Sequence, residues 1–163
     1  KELGDEDKAL EYNQQYMDKN PNAAPTDFMK LAEIYVNKAK KDPAKKVENI
    51  DKAIGVYAKL AEKYPTLKPF AKLQEGNTAF QNELDDKAIA AYTEVINELE
   101  AKQCDEDELS YLKTSYQYMG FIYTYDKQDF DTAKPYWDKL LKLDPQNKLA
   151  NDAYEKAGLK PGE

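Results

Sequence analysis

Cys104 and the acidic residues that follow it, Asp105 to Glu108, are the group of side chains that most invites a chemical role. A cysteine nucleophile acts as the thiolate and needs a neighbouring base or cation to form it. The chain has no histidine and no arginine, and the carboxylates beside Cys104 should raise the pKa of its thiol. We therefore expect an unreactive Cys104, which as the single cysteine also has no partner for an internal disulfide.

The acidic run itself could bind a cation or supply catalytic carboxylates. It lacks the alternating acids and the central glycine of an EF-hand loop, and adjacent residues of a helix point in different directions. A glycosidase-like pair of carboxylates would need a pocket that the sequence does not indicate. Negative charge is favourable at a helix N-terminus, so we predict that the run starts a long helix reaching to about Tyr125. We predict no catalytic residue, no metal and no cofactor, and therefore no enzyme.

The charge of the chain argues against two classes of partner. The net charge is −7, and all 24 basic residues are lysine. Recognition of bases and phosphates depends on clustered positive charge and on the bidentate fork of arginine, so no nucleic-acid partner is expected. No apolar run approaches the roughly 20 residues of a membrane span, so direct membrane insertion is not expected either.

A spaced signature recurs along the chain: an alanine, an aromatic residue, an apolar residue and a proline, at steps of four, three and five. Steps of three and four place the first three members on one helix face, and the proline falls where the helix should have ended. One copy has asparagine at the aromatic position, and another has glutamate at the proline position. The copies are Ala9, Asn13, Tyr16, Pro21; Ala53, Tyr57, Leu60, Pro65; Ala88, Tyr92, Val95, Glu100; and Ala133, Trp137, Leu140, Pro145.

Upstream of three copies, the pattern predicts a partner helix with a small residue where two helices cross closely. An aromatic, an apolar, a small and a second aromatic residue follow each other at steps of three, one and three. These residues are Phe28, Leu31, Ala32, Tyr35 and Tyr116, Met119, Gly120, Tyr123, with a looser version containing Gly76 and Phe80. Together the two patterns resemble tetratricopeptide repeats, from about Gly4 to Pro145.

The resemblance implies an all-α fold, a right-handed superhelix of stacked antiparallel helix pairs with about three and a half repeats and a C-terminal cap helix. We predict a single domain over residues 1–163. Its parts are a half repeat 1–22, a repeat 23–66 with a polar insert 40–48, repeats 67–104 and 105–146, and a cap helix 147–158. Because the half repeat lacks its first helix, we expect a segment of a longer protein, exported or cytoplasmic in a bacterium.

The resemblance also implies a protein-interaction scaffold. In this family the first helices of successive repeats line a concave groove that receives a peptide or a protein segment. Carried onto this sequence, the groove residues are Met29, Glu33, Val36, Leu73, Asn77, Phe80, Gln117, Phe121 and Thr124. Some of these side chains could instead pack on a neighbouring repeat or on the cap helix.

Two other functions are compatible with the sequence. Tyrosine-rich helices can stack on sugar rings, so Tyr118, Phe121 and Tyr125 could belong to a glycan-binding or small-molecule-binding protein. The chain could also be a structural spacer or a self-association module of a larger protein.

Overall fold

The computed structural model describes the backbone of residues 2–20 and 22–162 and the side chains of residues 8–17, 19–20 and 22–162. Every regular element in this part of the chain is helical, so the all-α prediction is confirmed. The α-helices are α1 Glu2–Lys19, α2 Pro25–Lys41, α3 Lys46–Lys63, α4 Lys68–Phe80, α5 Asp85–Glu100, α6 Glu106–Phe121, α7 Phe130–Leu143 and α8 Lys148–Lys156. The right-handed superhelix stays a prediction.

The prolines of the signature mark helix ends, as the pattern predicts. Helix α3 ends two residues before Pro65, and helix α7 ends two residues before Pro145. The residues in front of them, Tyr64 and Asp144, have already left the helical conformation, because a following proline disfavours it. Pro21, the exit proline of the first copy, lies outside the described residues.

Most of the polar insert 40–48 is helical and does not form a long loop between α2 and α3. Helix α2 ends inside it, a short 3-10 turn occupies Pro43–Lys45, and α3 begins at Lys46. The carboxylate of Asp42 accepts a hydrogen bond from the backbone N–H of Ala44 at 3.2 Å, which fixes the turn. The extra residues therefore lengthen α2 and α3, to 17 and 18 residues.

The chain divides into two compact units, residues 1–84 with α1 to α4 and residues 85–163 with α5 to α8. In the first unit α2 packs against α3, and α3 packs against α4. The aromatic, apolar and small residues of the two signatures form its core, as expected of residues that share a helix face. The buried members are Phe28, Leu31, Ala32, Tyr35, Ala53, Tyr57 and Leu60.

Helix α1 buries a different face from the one that the signature predicts. Ala9, Asn13 and Tyr16 are exposed, with Tyr16 at 53%. Leu10 and Met17 are buried instead and belong to the apolar cluster of the first unit. The predicted buried face of α1 is therefore wrong. Leu10 and Met17 lie two turns apart on one face, and they bury more apolar surface than Ala9 and Asn13 could.

In the second unit the small residue of the signature permits a close crossing of α6 and α7. Trp137 is fully buried, and a Cβ atom built on Gly120 would lie 2.5 Å from Cε2 of its ring. Ordinary van der Waals contact begins at 3.4 Å, so only glycine fits there. The indole N–H of Trp137 donates a hydrogen bond to Oγ1 of Thr124 at 2.9 Å, which satisfies the buried donor.

The acidic run begins α6, as predicted. Asp105 accepts a hydrogen bond from the N–H of Glu108 at 2.9 Å, and the Glu108 carboxylate accepts one from the N–H of Asp105 at 3.2 Å. This reciprocal capping box satisfies two N–H groups that the first helical turn leaves open. Burial and then the charge of Glu108 raise the pKa of the Cys104 thiol, which confirms the direction expected from the sequence.

The far end of α6 widens into a π-helical segment, Ile122–Asp126, which includes Tyr125 as the predicted end of the helix. The backbone N–H of Lys127 donates to the carbonyl of Ile122 at 2.9 Å, a spacing of five residues. The N–H of Asp129 donates to the carbonyl of Tyr123 at 2.7 Å. The chain thereby closes a wide turn before α7, and such segments are frequent at functional sites.

Helix α8 lies in the predicted cap segment and packs on α6 and α7 through Ala150, Ala153 and Tyr154. Asn147 caps its first turn by accepting a hydrogen bond from the N–H of Ala150 at 3.2 Å. After its last turn Gly158 has a φ of +70°, a left-handed conformation that glycine adopts without strain.

A tyrosine, a carboxylate and a lysine join α5, α6 and α7. The hydroxyl of Tyr116 donates to the carboxylate of Glu100 at 2.5 Å, and Nζ of Lys139 donates to the same oxygen at 2.6 Å. Partial burial alone would raise the pKa of Glu100, but the hydrogen bonds from Lys139 and Tyr116 outweigh it and lower this pKa.

We predict that Gly120→Ala destabilises the protein by about 1–3 kcal/mol, because the added methyl group overpacks against Trp137. The matched control is Gly55→Ala in α3, where a Cβ atom meets nothing within 4 Å. An alanine there should stabilise the helix by about 0.5–1 kcal/mol. Urea unfolding followed by circular dichroism measures both changes. Equal effects of the two substitutions would contradict the close crossing.

A second prediction concerns pH. Because the folded pKa of Glu100 lies below its ordinary value of 4.5, its carboxylate stabilises the fold above that pH, and the contribution is lost as the pH falls through the folded pKa. The difference in unfolding free energy between the parent and Glu100→Gln should therefore shrink on acidification from neutral pH, and salt should weaken it because the side chain is partly exposed. A difference that is constant with pH would contradict the assignment.

Candidate partner-binding surface

Three of the predicted groove residues lie along one face of α2. Met29 and Glu33 are exposed, Met29 at 39%, and Val36 is half-buried. They are four and three residues apart, so they follow each other one turn at a time on the same side of the helix. The core of the unit uses other residues of α2, namely Phe28, Leu31, Ala32, Tyr35 and Ala39. This face of α2 is therefore open to a partner.

The predicted groove residues on α4 are less accessible. Leu73 is 6% exposed, so it is a packed side chain of the first unit and offers little surface. Asn77 and Phe80 are half-buried. The sequence spacing predicts Leu73 on the groove face, but spacing alone does not reveal that this side chain is buried.

A charge on the open face of α2 acts on the core beneath it. Burial raises the pKa of the Tyr57 hydroxyl, and the negative charge of Glu33 raises it further. Tyr57 is also hydrogen-bonded to Thr78 on α4, a contact that lowers the pKa. Glu33 thus lies close enough to Tyr57 to influence the pKa of its hydroxyl, and its carboxylate places a negative charge on the open face of α2.

In the second unit the predicted groove residues are half-buried and contact other elements of that unit. Gln117 accepts a hydrogen bond from Nδ2 of Asn147, the residue that caps α8, at 3.4 Å. Thr124 accepts the indole N–H of Trp137, and the ring of Phe121 lies 4.8 Å from that of Tyr125. The possibility that some of these side chains pack on the cap helix is thus confirmed for Gln117.

The aromatic residues proposed for sugar stacking have different surroundings. Tyr118 stacks on Tyr92 with ring centroids 5.4 Å apart and an interplanar angle of 11°. Tyr92 is fully buried, and this burial raises the pKa of its hydroxyl strongly. Tyr118 is therefore engaged in packing between α5 and α6, whereas Tyr125 lines a pocket.

An apolar cleft that no sequence pattern predicted lies between α1 and α2. A cavity of about 330 Å³ there is lined by Leu10 and Ile34 among other residues. Ile34 is 38% exposed, and Tyr12 and Tyr16 on α1 are 72% and 53% exposed. The spacing of Leu10 and Met17 is the one sequence signal that could have revealed it, since it competes with the signature for the buried face of α1.

A second pocket, of about 430 Å³, is formed by the π-helical segment, α7 and α8. Gln128, Phe130 and Lys156 line it and were not predicted as site residues. Gln128 precedes α7, Phe130 begins α7, and Lys156 ends α8, so no short-range spacing connects the lysine with the other two residues.

Residues 28–66 match the family model described as tetratricopeptide repeat. The matched segment contains most of α2 and all of α3, including the open face with Met29, Glu33 and Val36. Tetratricopeptide repeats generally mediate protein–protein interaction and are typically not catalytic. Comparison with curated proteins and with solved structures gave no match for this chain.

Two further findings concern metal binding and membrane crossing. In the part of the chain that the structure describes, no group of three or more histidine, cysteine, aspartate or glutamate side chains could hold a metal ion. None of the helices over the same residues combines the length and the apolar character that crossing a membrane requires.

The different burial of two predicted groove residues leads to a prediction. Leu73→Ala should destabilise the protein by about 2–5 kcal/mol, because it removes buried apolar groups and leaves a cavity. Met29→Ala should change stability by no more than about 0.5 kcal/mol, because the side chain is exposed. Thermal and urea unfolding distinguish the two. A small effect of Leu73→Ala would show that this leucine is accessible and belongs to the groove after all.

Proposed function

We propose that this protein binds a peptide or protein segment on the open face of its tetratricopeptide repeat and that it has no catalytic activity. The observation that carries the proposal is the row formed by Met29, Glu33 and Val36 on α2. Two of these side chains are exposed and one is half-buried, while the other side of the same helix forms the core. A helix that buries one apolar face and keeps further apolar side chains at the surface is suited to a partner.

The side chains on this face favour a particular kind of segment. Met29 is flexible and polarisable and adapts to differently shaped apolar side chains, and Val36 adds apolar surface two turns further along. Glu33 lies between them and favours a lysine or an arginine of the partner. The pI of the chain is about 4.8, so long-range attraction also favours a basic segment over an acidic one. We therefore propose a partner segment with apolar anchors on both sides of a basic residue.

Further predicted groove residues lie on α4 of the first unit and in the second unit. Asn77 and Phe80 in the first unit and Gln117, Phe121 and Thr124 in the second are half-buried and keep part of their surface accessible. Within the first unit, an interface that used Asn77 and Phe80 together with α2 would bury more area than α2 alone, and stable protein interfaces commonly bury about 800 Å² on each partner. Leu73 is left out of the contact surface because it is buried.

The test uses two substitutions on the same helix. Met29→Glu places a charge on the proposed face, whereas Ile34→Glu places it on an equally exposed residue elsewhere on α2, at 38% against 39%. Both variants should keep the circular dichroism spectrum of the parent, because both sites are on the surface. Proteins from the source organism are captured on the parent and on each variant and are identified by mass spectrometry. Direct binding of each purified candidate is then measured by calorimetry.

We expect a partner that binds the parent and Ile34→Glu with similar affinity and binds Met29→Glu at least about tenfold more weakly, since a buried unpaired charge is unfavourable. Loss of binding on Ile34→Glu alone would place the partner in the cleft between α1 and α2 and would contradict the proposal. Binding that both substitutions leave unchanged would remove α2 from the interface altogether.

A further inference from the structure

The pocket of about 430 Å³ in residues 85–163 has the dimensions and the walls of a small-molecule site. Its volume falls within the range of about 300–1,000 Å³ that is usual for ligand pockets. It lies where the π-helical segment after α6, the beginning of α7 and the end of α8 meet. The lining residues are Thr124, Tyr125, Gln128, Phe130, Ala153, Lys156 and Ala157.

The aromatic walls of this pocket are held in place by neighbouring side chains. The ring of Tyr125 lies 4.8 Å from that of Phe121, at an angle of 43°. The ring of Phe130 meets that of Tyr154 edge to face at 5.5 Å, and Tyr154 is fully buried with its hydroxyl bonded to Asp138. The walls are therefore preformed, so a ligand would not have to bear the entropic cost of ordering them.

Two polar side chains of the pocket, Thr124 and Gln128, can donate hydrogen bonds to a ligand. Oγ1 of Thr124 accepts the indole N–H of Trp137, an atom that can only donate, so the hydroxyl proton of Thr124 remains available for another acceptor. Gln128 is exposed, and its backbone has a φ of 53° in the left-handed region. A residue other than glycine is uncommon in that conformation, and such residues concentrate at functional sites.

The charge of the pocket is opposite to that of the chain. The chain has 31 acidic residues, yet none of them lines this pocket. Lys156 does, with its Nζ 4.6 Å from the centre of the Tyr125 ring and with no carboxylate of the described residues in ion-pair contact. Two of the three lysines of α7 differ in this respect: Lys134 pairs with Asp138 at 3.1 Å, and Lys139 pairs with Glu100 at 2.6 Å.

We propose that this pocket binds a small organic carboxylate whose acid group is attached to a ring. Lys156 binds the carboxylate, Tyr125 and Phe130 contact the body of the ring, and Thr124 and Gln128 donate hydrogen bonds to its polar substituents. The ring can be that of an aromatic acid or that of an acidic sugar, which share the carboxylate and the flat apolar face. The site is independent of the open face of α2, which belongs to the first unit.

The structure provides a reporter for this binding. Trp137 is the single tryptophan of the chain, so a ¹⁵N-labelled sample gives one indole N–H signal, and this N–H is bonded to a lining residue of the pocket. The labelled protein is titrated with benzoate and with glucuronate, and with benzyl alcohol and glucose as uncharged counterparts. The same titrations are made on Lys156→Gln and on Lys148→Gln, which removes a charge from the other end of α8.

The expected result is a saturable shift of the indole signal with benzoate or glucuronate, whichever ring the pocket accepts, and little shift with its uncharged counterpart. Lys156→Gln should weaken this binding by about tenfold or more, because a charge-assisted hydrogen bond is lost, and Lys148→Gln should leave it nearly unchanged. The proposal is overturned if neither acid shifts the signal, if the uncharged compounds act equally well, or if the two lysine substitutions weaken binding to the same extent.

Discussion

The crossing of α6 and α7 at Gly120 and Trp137 is the contact on which the second unit depends. A tryptophan can be fully buried there because the facing residue has no side chain, and the indole N–H then requires an acceptor. Thr124 supplies it from the π-helical end of α6. A packing requirement at the crossing thereby fixes the orientation of Thr124, which lines the pocket formed with α7 and α8.

Packing of the core also decides which residues of the first unit remain accessible to a partner. The aromatic and small residues of α2 pack toward α3, and burial of this face leaves Met29 and Glu33 at the surface. The scaffold and the candidate surface are two sides of one helix, so neither can be changed without regard to the other. Glu33 on the exposed side raises the pKa of the buried Tyr57, because only the thickness of this helix separates the surface from the core.

Much of the fold could be predicted because the signature consists of local spacings. The helices, their ends before Pro65 and Pro145, the start of α6 at the acidic run and the small residue at Gly120 all follow from patterns a few residues long. Prediction failed where the competition is between two faces of one helix, as in α1, where Leu10 and Met17 are buried in place of Tyr16. The burial of Leu73 and the pocket around Lys156 depend on which distant residues meet, which spacing does not encode.

The two candidate sites call for ligands of opposite charge, and this separates them chemically. The proposed partner segment places a basic residue beside Glu33, whereas the pocket in residues 85–163 contains a lysine and no carboxylate. In a chain of net charge −7, acidic residues outnumber lysines. Two lysines of α7, Lys134 and Lys139, form ion pairs with such acidic residues. The pocket combines its lysine with aromatic walls that neighbouring side chains hold in place, and this combination is the more informative of the two features. General solubility accounts for an exposed glutamate, but it does not account for an aromatic pocket whose one charged group is a lysine without a carboxylate partner among the described residues.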